Sequence, residues 1–136
     1  MGTRHRAREA ALQILYGMDV SDAPVERAID RYWATLGAGE EPSDFANSLV
    51  RGCVAERDAI DDIIRRVSQH WRVERMARVD RNILRLATHE LKSASDVPRN
   101  VILDEAVELA KRFGDVESPA FVNGILDHIA RDLGKT

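Results

Sequence analysis

Cys53 is the only cysteine among 136 residues, so the chain has no internal disulfide and too few thiolates to build a closed metal site. Aromatic residues make up only 5% of the sequence, while Ala, Leu, Ile, Glu, Asp and Arg dominate, a composition that favours helix over strand. No apolar run approaches the roughly 20 residues needed to cross a bilayer, and neither a charged-then-apolar leader nor a lipidation signal is present. The expectation is a soluble, cytoplasmic protein with no membrane partner. The nucleophile-elbow, phosphate-loop and dinucleotide glycine patterns are all missing, which leaves no enzyme signature and no call for a cofactor. The length suits one all-α domain spanning 1–136, large enough to fold around a single core.

Charge, by contrast, is plentiful and unevenly placed. The net charge is -3, from 20 basic and 23 acidic side chains, yet Arg4, Arg6 and Arg8 all precede the first acid, Glu9. Arginines in the first turn oppose the helix dipole, so an external anion would explain them; a solvated terminus is the plainer reading.

Apolar spacing predicts a helix from about Arg4 to Met18 capped by Thr3, and a second opened by Ser21 or Asp22 with Pro24. The Gly37–Ser43 stretch reads as a surface loop without chemistry. A long third helix should run from a Ser43 cap through Val67, with Gly52 inside it as a close-packing point. Trp71 and Met76 begin a connector to a helix from Arg81 to about Ser93, capped by Asp80 and expected to be central. Two helices follow. The first is capped by Asp104 and ended by Gly114 in a left-handed conformation, and the second starts at Ser118-Pro119 with the serine hydroxyl as its cap. The expected core includes Leu15, Ile29, Leu49, Ile64, Leu84, Leu91, Leu109, Ile125 and Ile129.

Most charged clusters have plain explanations. His89-Glu90 lacks the second histidine of a zinc-binding H-E-x-x-H, since Ser93 stands there. His5, His70, His89 and His128 lie in four separate segments and read as surface or boundary residues. Asp61-Asp62 and Glu40-Glu41 diverge as adjacent pairs, so they read as solvated faces. Arg72, Arg75, Arg78, Arg81 and Arg85 recur at helical spacing, but Glu74, Asp80 and Glu90 interleave with them, which favours a salt-bridged solvent face. Phe113 and Phe121 fit core stripes, yet they flank one polar turn, where an exposed ring edge would stack on an unpaired base. Asn123 adds a donor and an acceptor beside them.

Three ordered blocks resemble a known family. Asp104-Glu-Ala-Val-Glu-Leu-Ala-Lys-Arg-Phe-Gly114, followed by Phe121-Val-Asn-Gly-Ile-Leu126, is similar to the C-terminal signature of the NusB antitermination family, which is all-helical and binds RNA. Arg4-His-Arg-Ala-Arg-Glu9 with Ala11-Leu-Gln-Ile-Leu-Tyr16 resembles its arginine-rich first helix, and Trp71 to Leu91 resembles its central helix.

The resemblance implies a bundle of six to seven helices in two subdomains, about 1–70 and 71–136. It further implies a protein that binds single-stranded boxA RNA of nascent transcripts with NusE, a ribosomal protein of the small subunit. The setting would be the RNA polymerase antitermination complex that supports transcription of ribosomal RNA operons. Carried across by motif, Arg4, His5, Arg6, Arg8 and Arg112 would meet phosphates, and Phe113, Phe121 and Asn123 would meet bases. Tyr16, Glu74 and Asp80 would face the protein partner, with acids suited to a basic ribosomal protein. His5 stands where the family usually has arginine or lysine, and Asp104 where asparagine is common. A homodimer is left open. The rivals are a helical domain like the non-catalytic one of RNA cytosine methyltransferases, whose chains continue into a catalytic domain whereas this one stops at Thr136, and a protein-interaction bundle with an incidental basic head.

Overall fold

The computed structural model describes residues 3–69, 72–93 and 96–135. Seven α-helices and one 3-10 turn occur among them, with no strand: α1 Thr3–Ser21, α2 Val25–Ala34, α3 Asp44–Ala55, α4 Arg57–Val67, the turn Val73–Arg75, α5 Arg78–Ser93, α6 Arg99–Phe113 and α7 Ser118–Asp132. Trp71 and His70 lie outside the described residues.

Helix α5 packs against α1, α3, α4, α6 and α7, which makes it the centre of the bundle. Its inward residues Ile83, Leu84, Leu86 and Leu91 are essentially inaccessible, and the buried side chains form one continuous cluster from Ala7 to Ala130. The expected core residues are buried with one exception, Ile125, which is half-buried at the rim.

Several helix ends differ from expectation. Thr3 is already helical instead of capping α1. Ser21 belongs to α1, where its hydroxyl donates to the Gly17 carbonyl, and Asp22 ends that helix at φ 58, a left-handed conformation that aspartate tolerates better than most residues. Helices α2 and α6 start instead behind Pro24 and Pro98, whose rings hold φ near the entry value without any side-chain cap. Asp104 is therefore an exposed residue in the second turn of α6 and not its cap. Asp80 likewise does not cap α5, because that helix begins at Arg78.

The expected single helix from Ser43 to Val67 is broken at Glu56 (φ -109, ψ 17). Ser43 does cap it, accepting the Ala46 amide. The apolar stripe keeps its helical spacing through the break, so periodicity carried no warning. Gly52 is the close-packing point, since a Cβ there would lie 2.3 Å from the His89 ring. Gly114 is needed for a similar reason and not for positive φ. Its φ is -93, but a Cβ would stand 2.4 Å from the Ser118 hydroxyl oxygen. That hydroxyl does not cap α7; the Asp115 carboxylate does, accepting the Glu117 and Ser118 amides.

Three ion-paired clusters fasten the helices. Arg8 of α1 donates two 2.8 Å hydrogen bonds to Glu90 of α5, both side chains being buried. Arg85 grips Asp61 of α4 in the same two-pronged way, at 2.8 and 2.9 Å. Asp19 near the end of α1 accepts from Arg81 and Asn82, each at 2.9 Å. The arginine series running into α5 therefore splits: Arg81 and Arg85 are salt-bridged as expected but turned inward, while Arg72, Arg75 and Arg78 stay exposed.

Candidate nucleic-acid interface

The first three turns of α1 lie between the α2–α3 loop on one side and α6 on the other, and the basic side chains there are drawn to carboxylates from both. Arg6 donates to Glu40 of the loop through Nε (3.1 Å) and Nη2 (2.6 Å), and to Glu9 through Nη1 (3.2 Å). The hydrogen bonds to Glu40 push the Arg6 guanidinium above its ordinary range against a smaller opposing effect of burial. His5 sets Nδ1 2.8 Å from Glu105 of α6 and Nε2 3.3 Å from Glu9. Arg112, near the end of α6, reaches Glu9 with Nη1 at 3.1 Å and lies 5.3 Å over the ring of its neighbour Phe113. Arg4 is exposed, with its guanidinium 4.7 Å over the Phe45 ring.

Arg8 does not join this group. Expected at the exposed start of the helix, it is buried, 5.5 Å from the centre of the same Phe45 ring and bound to Glu90. Burial opposes its charge, but the hydrogen bonds and charge of Glu90 outweigh that and raise the guanidinium above its ordinary value. With both prongs of its fork occupied in the interior, Arg8 is a fastener and not a phosphate ligand.

Phe113 is half-buried and forms one wall of a groove of about 330 Å³ that it shares with Leu12, Gln13, Tyr16, Leu36 and Val79. Tyr16, like Gln13 and Leu36, also lines a second groove, of about 230 Å³, running against Ala28, Arg31 and Tyr32 of α2. Phe121 is half-buried and Asn123 exposed, both in the first turns of α7 across the polar turn from Phe113. The fold thus gathers His5, Arg6 and Arg112 around Glu9 with Phe113 against Arg112, while Arg4 stands over Phe45 of α3 and Phe121 and Asn123 follow across the turn in α7.

The expected partner residues separate. Tyr16 is 40% exposed and lines both grooves, and Glu74 is exposed beside Arg65 at 2.8 Å. Its own backbone amide and Arg65 hold the Glu74 carboxyl below the usual range. Asp80 is a correction: it is buried in the first turn of α5, with no hydrogen-bond partner for Oδ1 among the described residues, so it presents no acid to a partner in this conformation.

Sequence reasoning missed the carboxylates. Glu9 was legible in principle, three and four residues from Arg6 and His5, but Glu40 and Glu105 are distant in sequence and gave no signal. The loop thought to carry no chemistry supplies Glu40. Cys53 is buried against the Arg85 carbonyl and burial pushes its thiol up, and no cluster of metal-ligating side chains occurs among the described residues. No described helix is long and apolar enough to cross a membrane.

Fold and surface together define an all-α helical bundle that presents a cationic cluster beside an apolar groove. The NusB family model matches residues 5–131, and the chain belongs to the NusB family. It is 49% identical over 135 residues to a transcription antitermination protein NusB of Sorangium cellulosum (strain So ce56), covering 99% of this chain and 96% of that one. A NusB of Myxococcus xanthus (strain DK1622) is 46% identical, with 99% of each chain covered. Among solved structures, T. maritima NusB superposes with a TM-score of 0.86 at 37% identity, over 96% of this chain and 92% of that one. A chain in the crystal structure of antitermination factors NusB and NusE in complex with dsRNA superposes with a TM-score of 0.80 at 28% identity, over 96% and 99%.

Proposed function

We propose that this chain is a cytoplasmic antitermination factor that binds single-stranded boxA RNA of nascent transcripts together with NusE, within the RNA polymerase complex that transcribes ribosomal RNA operons. It acts by holding, with no catalytic step. The observation that carries the reading is the convergence of His5 and Arg6 of α1 with Arg112 and Phe113 of α6, beside an exposed Arg4 in the first turn of α1. The cations suit an RNA backbone and the adjoining aromatic edges suit unpaired bases. The superposable NusB chain bound with NusE and RNA supports both partners. Tyr16 with the groove it shares with α2, and separately Glu74, are what we assign to NusE, whose apolar residues would enter the groove and whose basic character would meet Glu74. The relatives at 49% and 46% identity are antitermination proteins, which favours this reading over that of a methyltransferase-type helical domain.

A fluorescence-anisotropy titration of boxA and scrambled RNA at several salt concentrations, with NusE present, tests the reading. Arg4 and Arg112 are exposed and Arg6 is partly so, and these three arginines are the ones we assign to phosphates. At about 0.7 each on a single strand, they should give a slope of about -2 in log affinity against log salt. Phe121→Ala should reduce the preference for boxA while its helical circular dichroism matches the parent. A wild-type protein with no preference for boxA overturns the proposal.

A further inference from the structure

An acid at the centre of a polyanion-binding surface needs a reason, and Glu9 is such an acid. Its side chain is only 5% exposed, yet both oxygens are engaged by cluster residues. Oε1 accepts from Arg6 Nη1 at 3.2 Å, and Oε2 accepts from Arg112 Nη1 at 3.1 Å and lies 3.3 Å from His5 Nε2. His5 and Arg6 sit on the preceding turn of the same helix, whereas Arg112 comes from α6, 103 residues away. One buried carboxylate therefore joins three cluster side chains across two helices.

Without Glu9 the guanidiniums of Arg6 and Arg112 would repel one another, and both long side chains would sample solvent, an entropy that RNA would then have to remove on binding. Glu9 takes one nitrogen of Arg112, whose other N–H groups have no protein partner among the described residues. Arg6 keeps its outer edge on Glu40, and both members of that pair are well exposed, at 43% and 39%, so an RNA phosphate can replace the loop carboxylate there. Glu9 cannot be replaced in that way, because it lies beneath the cations it holds.

We propose that Glu9 is a positioning residue for RNA binding: it holds Arg6, Arg112 and His5 side by side before RNA arrives, so that the surface meets the backbone already arranged. The inference rests on the RNA-binding reading above and assigns Glu9 a part in it that its charge alone would not suggest.

The sign of one substitution separates this role from simple electrostatics. Removing an anion beside RNA should tighten binding if only charge matters. Loss of positioning for two arginines should instead weaken it, by about fivefold or more. The test is anisotropy of fluorescein-labelled boxA RNA with the full chain and NusE at fixed salt. Glu9→Gln should weaken binding despite its lost negative charge. Glu9→Asp, which keeps the charge but is too short to span both helices, should weaken it as well. Arg112→Ala should cost affinity in the wild type and much less in the Glu9→Asp background, a coupling that general destabilisation would not produce. Wild-type or tighter binding by Glu9→Gln with a native helical signal overturns the proposal, as does an equal cost of Arg112→Ala in both backgrounds. If Glu9→Gln does not fold, the Glu9→Asp cycle decides by the same criterion. A wild type indifferent to boxA overturns the functional reading and this inference together, whereas normal wild-type binding with uncoupled variants overturns this inference alone.

Discussion

The two ends of α1 use the same chemistry to opposite effect. At the C-terminal end Asp19 is 9% exposed and accepts from Arg81 and Asn82, with Arg85 and its partner Asp61 beside it, so these charges face one another inside the bundle and only Arg57, at 3.8 Å from Asp19, closes the cluster from the solvent side. At the N-terminal end Arg6 and Arg112 are 43% and 63% exposed, and their carboxylate partners leave part of each guanidinium facing water. Arginine paired with carboxylate is a fastener in the first case and a handle in the second. Burial decides between them: a desolvated pair cannot exchange partners without a large penalty, while an exposed pair exchanges readily for a phosphate. Arg8 and Glu90 extend the fastened class to within one turn of the handles.

The comparison breaks most sharply at Glu90. Glu90→Ala leaves the Arg8 guanidinium buried without its partner and should destabilise the fold by about 3–5 kcal/mol, read as a lower urea midpoint. A loss below about 1 kcal/mol would place Arg8 among the handles after all.

Asp19 gives an intermediate effect that depends on pH. Burial raises its pKa, but the hydrogen bonds from Asn82 and Arg81 outweigh burial and hold the carboxyl below its ordinary value. A folded-state value below the unfolded one means that the group contributes stability above an unfolded value of about 3.9, and that this contribution fades as pH falls through the folded value. Asp19→Asn should therefore be less stable than wild type at pH 7, with the gap narrowing below about pH 4 in acid-unfolding curves followed by circular dichroism. A gap that stays constant with pH would remove the charge of Asp19 from the account.

The smallest stability effect should come from Glu40→Gln, within about 1 kcal/mol because its pair with Arg6 is exposed. Its effect on function should be the clearer one. Freed from the loop carboxylate, Arg6 should bind boxA RNA more tightly in the anisotropy assay. Unchanged affinity would mean that Arg6 does not reach phosphate.

Local pattern carried much of this structure. The stripe Ile83, Leu84, Leu91 placed α5 in the core, Ser43 announced the start of α3, and Gly114 announced the end of α6. Errors collected where two signals compete for one job. Pro98 opens α6 before the better-looking cap at Asp104, and Asp115 takes the capping role that Ser118 was expected to fill. The interface was partly legible for the same reason. His5 and Arg6 can be read against Glu9 because three and four residues are neighbours on one helix, but no spacing rule connects Glu9 to Arg112 or Arg6 to Glu40.

Periodicity and composition were enough to establish an all-helical chain with a basic head, because amphipathic spacing is a property of neighbouring residues and survives without coordinates. Which basic residues stay available was settled by packing. Arg4 and Arg8 lie one turn apart on the same side of α1, yet Arg4 stays exposed over the Phe45 ring while Arg8 meets Glu90 of α5 and disappears from the surface. The residue types are identical and the helix is the same. The depth at which α1 crosses α5 separates them, and that depth arises from contacts between segments some eighty residues apart.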